Sequence, residues 1–426
     1  MILFGLGVSN YSFEVISGKK YNKLMSDSSR TISTSNILFT FLSLGLIAFG
    51  GPTAHLSLFK KEFVDKFKWL TTHEYVSLVS LCQILPGPTS SQVSFSIGYI
   101  KRGWLGAFAA WLGFTFPAFC IVVFLGFGIL SAEKGFLNGV ALGVSAVVVP
   151  IVAQAVLSMT MSFCKTFTTL FVAFSSFVLV LLFPSPGFQV LAILLSGLFG
   201  LMFLEPPQNE PSLLNFKVNQ SFFSIVALFG FFVFLALSFF SIEGFFISIF
   251  SGFYRAGALV FGGGHVVLPF LKSFFVDGNF VSLNEFLTGY GLVQAIPGPL
   301  FAISGYLGML LGEDYSKGPQ VLIALFALIS IFLPTFLIIP GCLHIWHRLQ
   351  RNIIFFKMGK GVNAGVVGLL LANFINPILF NMVQEMGSLF LIIISSLLLF
   401  VSRLPTWSIV ILMGLIGFLL SITNLI

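Results

Sequence analysis

Gln83, Pro86, Gly87, Pro88, Thr89, Ser90, Ser91 and Gln92 form the first group of residues able to act on a solute. Proline and glycine interrupt a helix and free its backbone groups, and the neighbouring hydroxyls and amides supply further hydrogen bonds. Gln294, Pro297, Gly298 and Pro299 repeat the frame, with Ser304 shortly after. Upstream of each lies a glycine break, Phe49-Gly50-Gly51-Pro52 and Phe261-Gly262-Gly263-Gly264, the second running directly into His265. Such a break ends one half-helix and starts another, and the amino end of a half-helix carries free amides and positive partial charge suited to an oxyanion. Arg255 stands just before the second glycine break, with neutral residues from 244 to 271 on both sides. A guanidinium in such a setting can present a fork to a tetrahedral dianion. The chemistry expected is therefore binding. The chain has no phosphate-binding Gly-x-x-x-x-Gly-Lys loop, no His-Glu-x-x-His and no Gly-x-Ser-x-Gly, and its apolar runs hold no paired carboxylates or metal cluster, so no enzyme, cofactor or metal is expected.

The elements that must position these residues are helices in a membrane. Hydrophobic residues make up 57% of the chain and charged residues 8%, with a mean hydropathy of +1.04, too apolar for a soluble domain. Residues 103 to 132, 135 to 164, 166 to 204, 218 to 242, 361 to 384 and 404 to 426 contain no Asp, Glu, Lys or Arg. A spanning helix needs about 20 apolar residues, and a helix satisfies its own backbone in lipid. The fold expected is an all-α, multi-pass bundle of two repeats, each with broken or re-entrant helices. Residues 1–35 read as a polar cytoplasmic tail, 36–204 as the first repeat, 205–217 as a linker and 218–426 as the second repeat. Leu56 with Leu268, Lys60 with Lys272, Asp65 with Asp277 and Glu74 with Glu285 keep register across the two units with one single-residue gap.

Charge orients the repeats. In the first unit Lys60, Lys61, Lys66 and Lys68 follow the glycine break and Lys101-Arg102 follows Pro-Gly-Pro; in the second the matching places hold Lys272, Asp277, Glu285, Glu313 and Asp314. Arg348, Arg351, Lys357 and Lys360 come one span later. Lys and Arg mark the cytoplasmic side, so the halves should lie upside-down relative to each other, as in many carriers. Five spans between the units give the same answer if each break sends the chain back to its own side. The alternative is that residues 283 to 312 form one kinked span.

Each candidate has a structural reading beside the functional one. Gly and Pro also merely kink membrane helices; Arg255 can snorkel or pair with Glu243; His265 can carry a proton, donate to a substrate or serve structure alone. Asn138 and Asn363 adjoin glycine-rich helices and read as packing. Cys82, Cys120, Cys164 and Cys342, without Cys-x-x-Cys spacing, read as small core residues. The net charge of +7 is spread over short loops and needs no nucleic acid.

At these residues the chain resembles the chromate ion transporter family in its long, two-unit form. The resemblance rests on Phe49-Gly50-Gly51-Pro52 with Ala54-His55, Leu81 to Gln92, and Gly113-Phe114-Thr115-Phe116-Pro117 in the first unit. In the second it rests on Arg255 to Pro269 and Gly291 to Pro299. It covers residues 36 to 426. It implies a bacterial inner-membrane carrier that exports chromate under the proton gradient, with sulfate as a mimic. Many relatives carry a basic residue where this chain has Ser43. The partners expected are chromate or a sulfate-like anion, the lipid bilayer and protons, with a homodimer among the assemblies left open. The competing readings are a carrier for sulfate or another oxyanion and a passive anion channel.

Overall fold

In a computed structural model, residues 32–131, 134–205, 222–240, 243–383, 386–402 and 404–423 are described. The expected tail and linker, and Glu133, Glu385 and Arg403, fall mostly or wholly outside these residues. The first unit begins with α1 (Thr34–Ile47), the glycine break, and α2 (Gly51–Phe59), prolonged by a π-helical turn, Lys60–Lys66. Then come α3 (Thr72–Ile84), the Pro-Gly-Pro break, α4 (Thr89–Ser131), α5 (Lys134–Phe163), α6 (Phe167–Leu182) and α7 (Pro186–Phe203). After α8 (Phe222–Leu237) the second unit repeats the order. It has α9 (Phe245–Ala258), a glycine break, a short 3-10 turn with α10 (Val267–Leu271) and a π turn at Lys272–Val276, then α11 (Leu283–Ala295). Past Pro-Gly-Pro follow α12 (Ile303–Leu311), α13 (Lys317–Leu349), α14 (Ile353–Asn373), α15 (Met386–Val401) and α16 (Thr406–Ile422). The described residues contain no strand, and α4, α5, α7, α13 and α14 carry stretches long and apolar enough to cross a membrane. The protein is an all-α, multi-pass membrane protein.

The chain reverses at each break. Phe41 on α1 packs its ring 5.7 Å from Phe59 and 4.8 Å from Phe63, which α1 can reach only if α2 folds back along it. Phe253 and Phe275 make the same contact in the second unit, at 4.4 Å. Across Pro-Gly-Pro, Cys82 lies 4.0 Å from Ser96, and Tyr306 on α12 donates to the Glu285 carbonyl at the start of α11. Residues 283 to 312 are therefore a hairpin and not one kinked span. Thr71 and Glu74 form a capping box that starts α3, and Ser282 and Glu285 form its copy at α11, which explains why these glutamates recur in register.

α4 is also two helices. Arg102 and Gly103 leave helical geometry, and Phe95 meets Trp104 and Phe108 across the turn. The first arm, 89–101, closes the second hairpin, and the second arm, 104–131, leaves the base as a long crossing helix. Lys101 donates to the Trp69 carbonyl, so both hairpins of the first unit have their bases at one end of the bundle. At the far end of the second arm, Phe127 lies 6.0 Å from the Lys317 ammonium, beside the base of the second unit. α13, about 50 Å long at 1.5 Å per residue, starts at that base and ends with Trp346 donating to Ser77 on α3, 2.9 Å away. The hairpin bases of the two units thus lie at opposite ends of the crossing helices.

The remaining helices are exchanged between units. α5 packs on α16, where a Cβ at Gly139 would sit 2.5 Å from the Gly417 carbonyl. α14 packs on α6 and α7, with Gly361 and Gly365 against Ser196 and Gly368 against the Ala173 backbone. These glycines let backbones touch, as the packing reading expected. Cys82, Cys164 and Cys342 are buried, but Cys120 is exposed on the flank of α4, so it is not a core residue.

Candidate functional site

All four hairpin tips meet. The Gly87 amide donates to the Val260 carbonyl at 2.7 Å, and the Gly298 amide donates to the Ala48 carbonyl at 2.9 Å. Each Pro-Gly-Pro tip is therefore fastened to the glycine break of the other unit, and the two bonds are copies of each other. A Cβ on Gly264 would lie 3.5 Å from Pro52 and from Leu300, which sets the second glycine break against the first and against the Pro-Gly-Pro turn of its own unit. Leu85 and Ile296 are extended, as a residue before proline must be, and this ends α3 and α11 on time. Gly87 at φ +133° and Gly298 at φ +111° occupy backbone that favours glycine.

Amino ends of half-helices begin at Gly51, Thr89, Gly264 and Leu300, so four positive backbone ends gather at this point. Around them buried polar atoms are left without a protein partner: the hydroxyls of Thr89, Ser91 and Thr335, the Gln92 side-chain oxygen, the Gln294 side-chain nitrogen and the Asn363 side-chain oxygen. Unpaired buried groups are expensive in a low-dielectric interior and point to a ligand or water that completes them. Thr335 lies beside Gly87 and Asn363 beside Gly262. The Gln92 amide nitrogen is committed to the Pro86 carbonyl at 2.6 Å.

The two histidines differ. His55 Nε2 donates to the Ala48 carbonyl at 3.0 Å, and its Nδ1 then accepts from the Ser90 hydroxyl at 3.3 Å. Both nitrogens are used, and the ring pins the first glycine break to the second hairpin. His265 has Nδ1 2.5 Å from the Tyr290 hydroxyl, no hydrogen-bond partner at Nε2 among the described residues, and is half-buried.

Of the residues singled out by sequence, the structure gathers Gly50, Gly51, Pro86, Gly87, Pro88, Thr89, Ser90, Gln92, Gly262, Gly263, Gly264, His265, Gln294, Pro297, Gly298 and Pro299 at or beside the tips. Gln83 is exposed, and its carbonyl meets the Asn363 amide at 3.5 Å. Ser304 is buried and donates to the Phe301 carbonyl in the 3-10 turn, Leu300–Ala302, that precedes α12. Arg255 is elsewhere. Its guanidinium donates to the Ser238 carbonyl past the end of α8 and lies 4.6 Å over the Phe239 ring, with no carboxylate partner among the described residues. Ser43 is exposed and donates to Thr40 within α1. Sequence reasoning missed Thr335 and set Asn363 aside as packing. A signal existed for Thr335, since Pro334-Thr335 stands where the first unit has Pro117-Ala118.

Comparison with known proteins agrees with this duplicated plan. The chromate transporter family profile matches twice, over residues 35–201 and 247–418. A probable chromate transport protein of Synechococcus elongatus is 30% identical over 331 residues, covering 76% of this chain and 80% of that protein. A chromate transport protein of Pseudomonas aeruginosa is 26% identical over 352 residues, covering 80% of each. An uncharacterized transporter of Methanocaldococcus jannaschii is 29% identical over 350 residues, covering 80% of this chain and 83% of that protein. No solved structure matches. With the family profile falling once on each set of paired hairpins, the chain belongs to the chromate transporter family.

Proposed function

We propose that this protein exports chromate or a similar tetrahedral oxyanion from the cytoplasm across the inner membrane, in exchange for protons, and binds it where the four tips meet. The observation that carries the reading is the reciprocal pair of tip bonds enclosing half-helix amino ends and unpartnered buried donors. No fixed cation stands among the tips in the described residues, so the backbone ends and the Thr89, Ser91, Thr335 and Gln294 groups take the place of the anion's hydration. The two units are inverted repeats in this reading. The opposed hairpin bases support it, as does the excess of Lys and Arg at the end that holds Lys60, Lys66, Lys101 and Lys360.

The exposed flank of the tips supports the outward direction. Gly50, Thr53 and Gln83 are exposed, and next to them lie Trp407 at the start of α16, Gly359 in the first half of α14 and Asn363 at its middle, on the side of the basic end. An anion would then enter from the cytoplasm. His265 is the proton carrier in this scheme, since the gathered tips hold no carboxylate among the described residues. Chromate and sulfate flux into proteoliposomes tests the function: it should saturate and respond to an imposed pH gradient, whereas flux that follows voltage alone would make the protein a channel. For orientation, single cysteines at Lys66 and Lys357 in a cysteine-free chain should resist an impermeant thiol reagent in intact cells while those at Asp277 and Asp314 label. Labelling of all four would end the inverted arrangement.

A further inference from the structure

A second cluster of polar groups lies away from the tips, where the start of α7 meets α9 and the π turn at Lys272–Val276. Arg255, Gln189 and Ser273 line one crevice there, together with Pro186, Phe270 and Phe274. Gln189 is 3% exposed with its side-chain oxygen unpartnered, Ser273 is 7% exposed with its hydroxyl unpartnered, and Arg255 Nε has no partner. A guanidinium carries five donors, and one carbonyl, Ser238, is the hydrogen-bond acceptor seen for this one. The rings of Phe239 and Phe274, 4.6 and 5.8 Å from it, hold the guanidinium plane without using its donors. The 18-residue helix α7 opens at the same crevice, and its N-cap Ser185 makes no side-chain cap, so its first amides are unpaired by a side chain. The other face of Gln189 lines an outer crevice with Lys272, Asp277, Asn373 and Asn376. Lys272 and Asp277 pair at 2.8 Å, which leaves Arg255 as the unbalanced charge.

We propose that this crevice is a second binding site for a tetrahedral oxyanion, separate from the tips and at the opposite end from their open flank. Arg255 supplies charge and two or more donors. Ser273 and the Gln189 amide, turned to present its nitrogen, supply two more, and the start of α7 supplies backbone amides and dipole. An anion leaving the tips at this end of the bundle would dwell there before release. The proposal rests on the reading of the chain as an oxyanion carrier, and the test separates the two.

Equilibrium binding of radiolabelled sulfate to the purified full-length protein is the experiment. The parent should bind two sulfates per chain. Arg255→Gln should lose one of them, and Gln189→Leu with Ser273→Ala, which keeps the arginine and its bond to Ser238, should weaken the same one at least ~10-fold, the scale of one lost charge-assisted hydrogen bond. Gln294→Leu should affect the other site. A single parental site that Gln294→Leu removes would overturn the second site and leave the functional reading standing. Two sites kept at parental affinity in the Gln189/Ser273 variant would also overturn it, and a parent that binds no sulfate would remove both readings.

Discussion

Gly87→Leu and Gly298→Leu should each reach the membrane and each lose oxyanion flux by about 100-fold or more, the scale on which small misplacements of reacting or binding groups act. Both glycines sit at positive φ, where an L side chain brings strain of order 1–2 kcal/mol before any contact is counted. Space is then the larger obstacle. A Cβ at Gly298 would lie 2.8 Å from Ala118, and one at Gly87 would run into the Gln92 amide and approach Thr335. The amides of these two glycines hold the tips of opposite units together, so moving either separates the half-helix ends that form the site. Flux in proteoliposomes, with membrane yield as the control, checks the pair. Near-parental flux in both would reduce the breaks to kinks.

Much of this arrangement was legible in the residues. Two copies of Gln-x-x-Pro-Gly-Pro and of the glycine break required four interruptions in one duplicated plan, and the register of Glu74 with Glu285 carried the capping boxes that start α3 and α11. The reversal of the chain at each break was not legible, because residues 283 to 312 are apolar enough for either a hairpin or a kinked span. The Tyr306 hydroxyl on the Glu285 carbonyl decides it, as the approach of Cys82 to Ser96 does for the matching pair of helices in the first unit. The direction of a long side chain is also absent from sequence. Arg255 stood near a break and read as the cation of the site, yet its flexible stem takes the guanidinium to Ser238. Asn363 read as packing because its neighbours are glycines, and those glycines do pack, while the asparagine itself reaches the tips.

His265→Gln should leave oxyanion binding close to the parent and abolish the response to a pH gradient. Glutamine can keep a hydrogen bond to Tyr290 but cannot carry a proton. A gradient of one pH unit is worth about 1.4 kcal/mol per coupled proton, roughly tenfold in accumulation. The parent should therefore concentrate anion against its gradient by about that factor per proton, and the variant should stop at equilibrium. His55 offers the contrast, because both of its nitrogens are engaged and its replacement should lower stability or yield instead of coupling. Accumulation by His265→Gln equal to the parent's would take the proton off this residue.

The central claim is that the tips hold the anion, and substrate protection tests it most directly. In a chain with Cys82, Cys120, Cys164 and Cys342 replaced, a cysteine at Gln294 reports on the tips and one at Gly318, where a side chain meets open space, serves as reference. Occupancy at ten times the dissociation constant leaves about one site in eleven free. Sulfate at that level should slow modification of the Gln294 cysteine by a small methanethiosulfonate roughly tenfold and leave the Gly318 cysteine unchanged. Equal rates with and without sulfate at Gln294, in protein that still transports, would contradict the account.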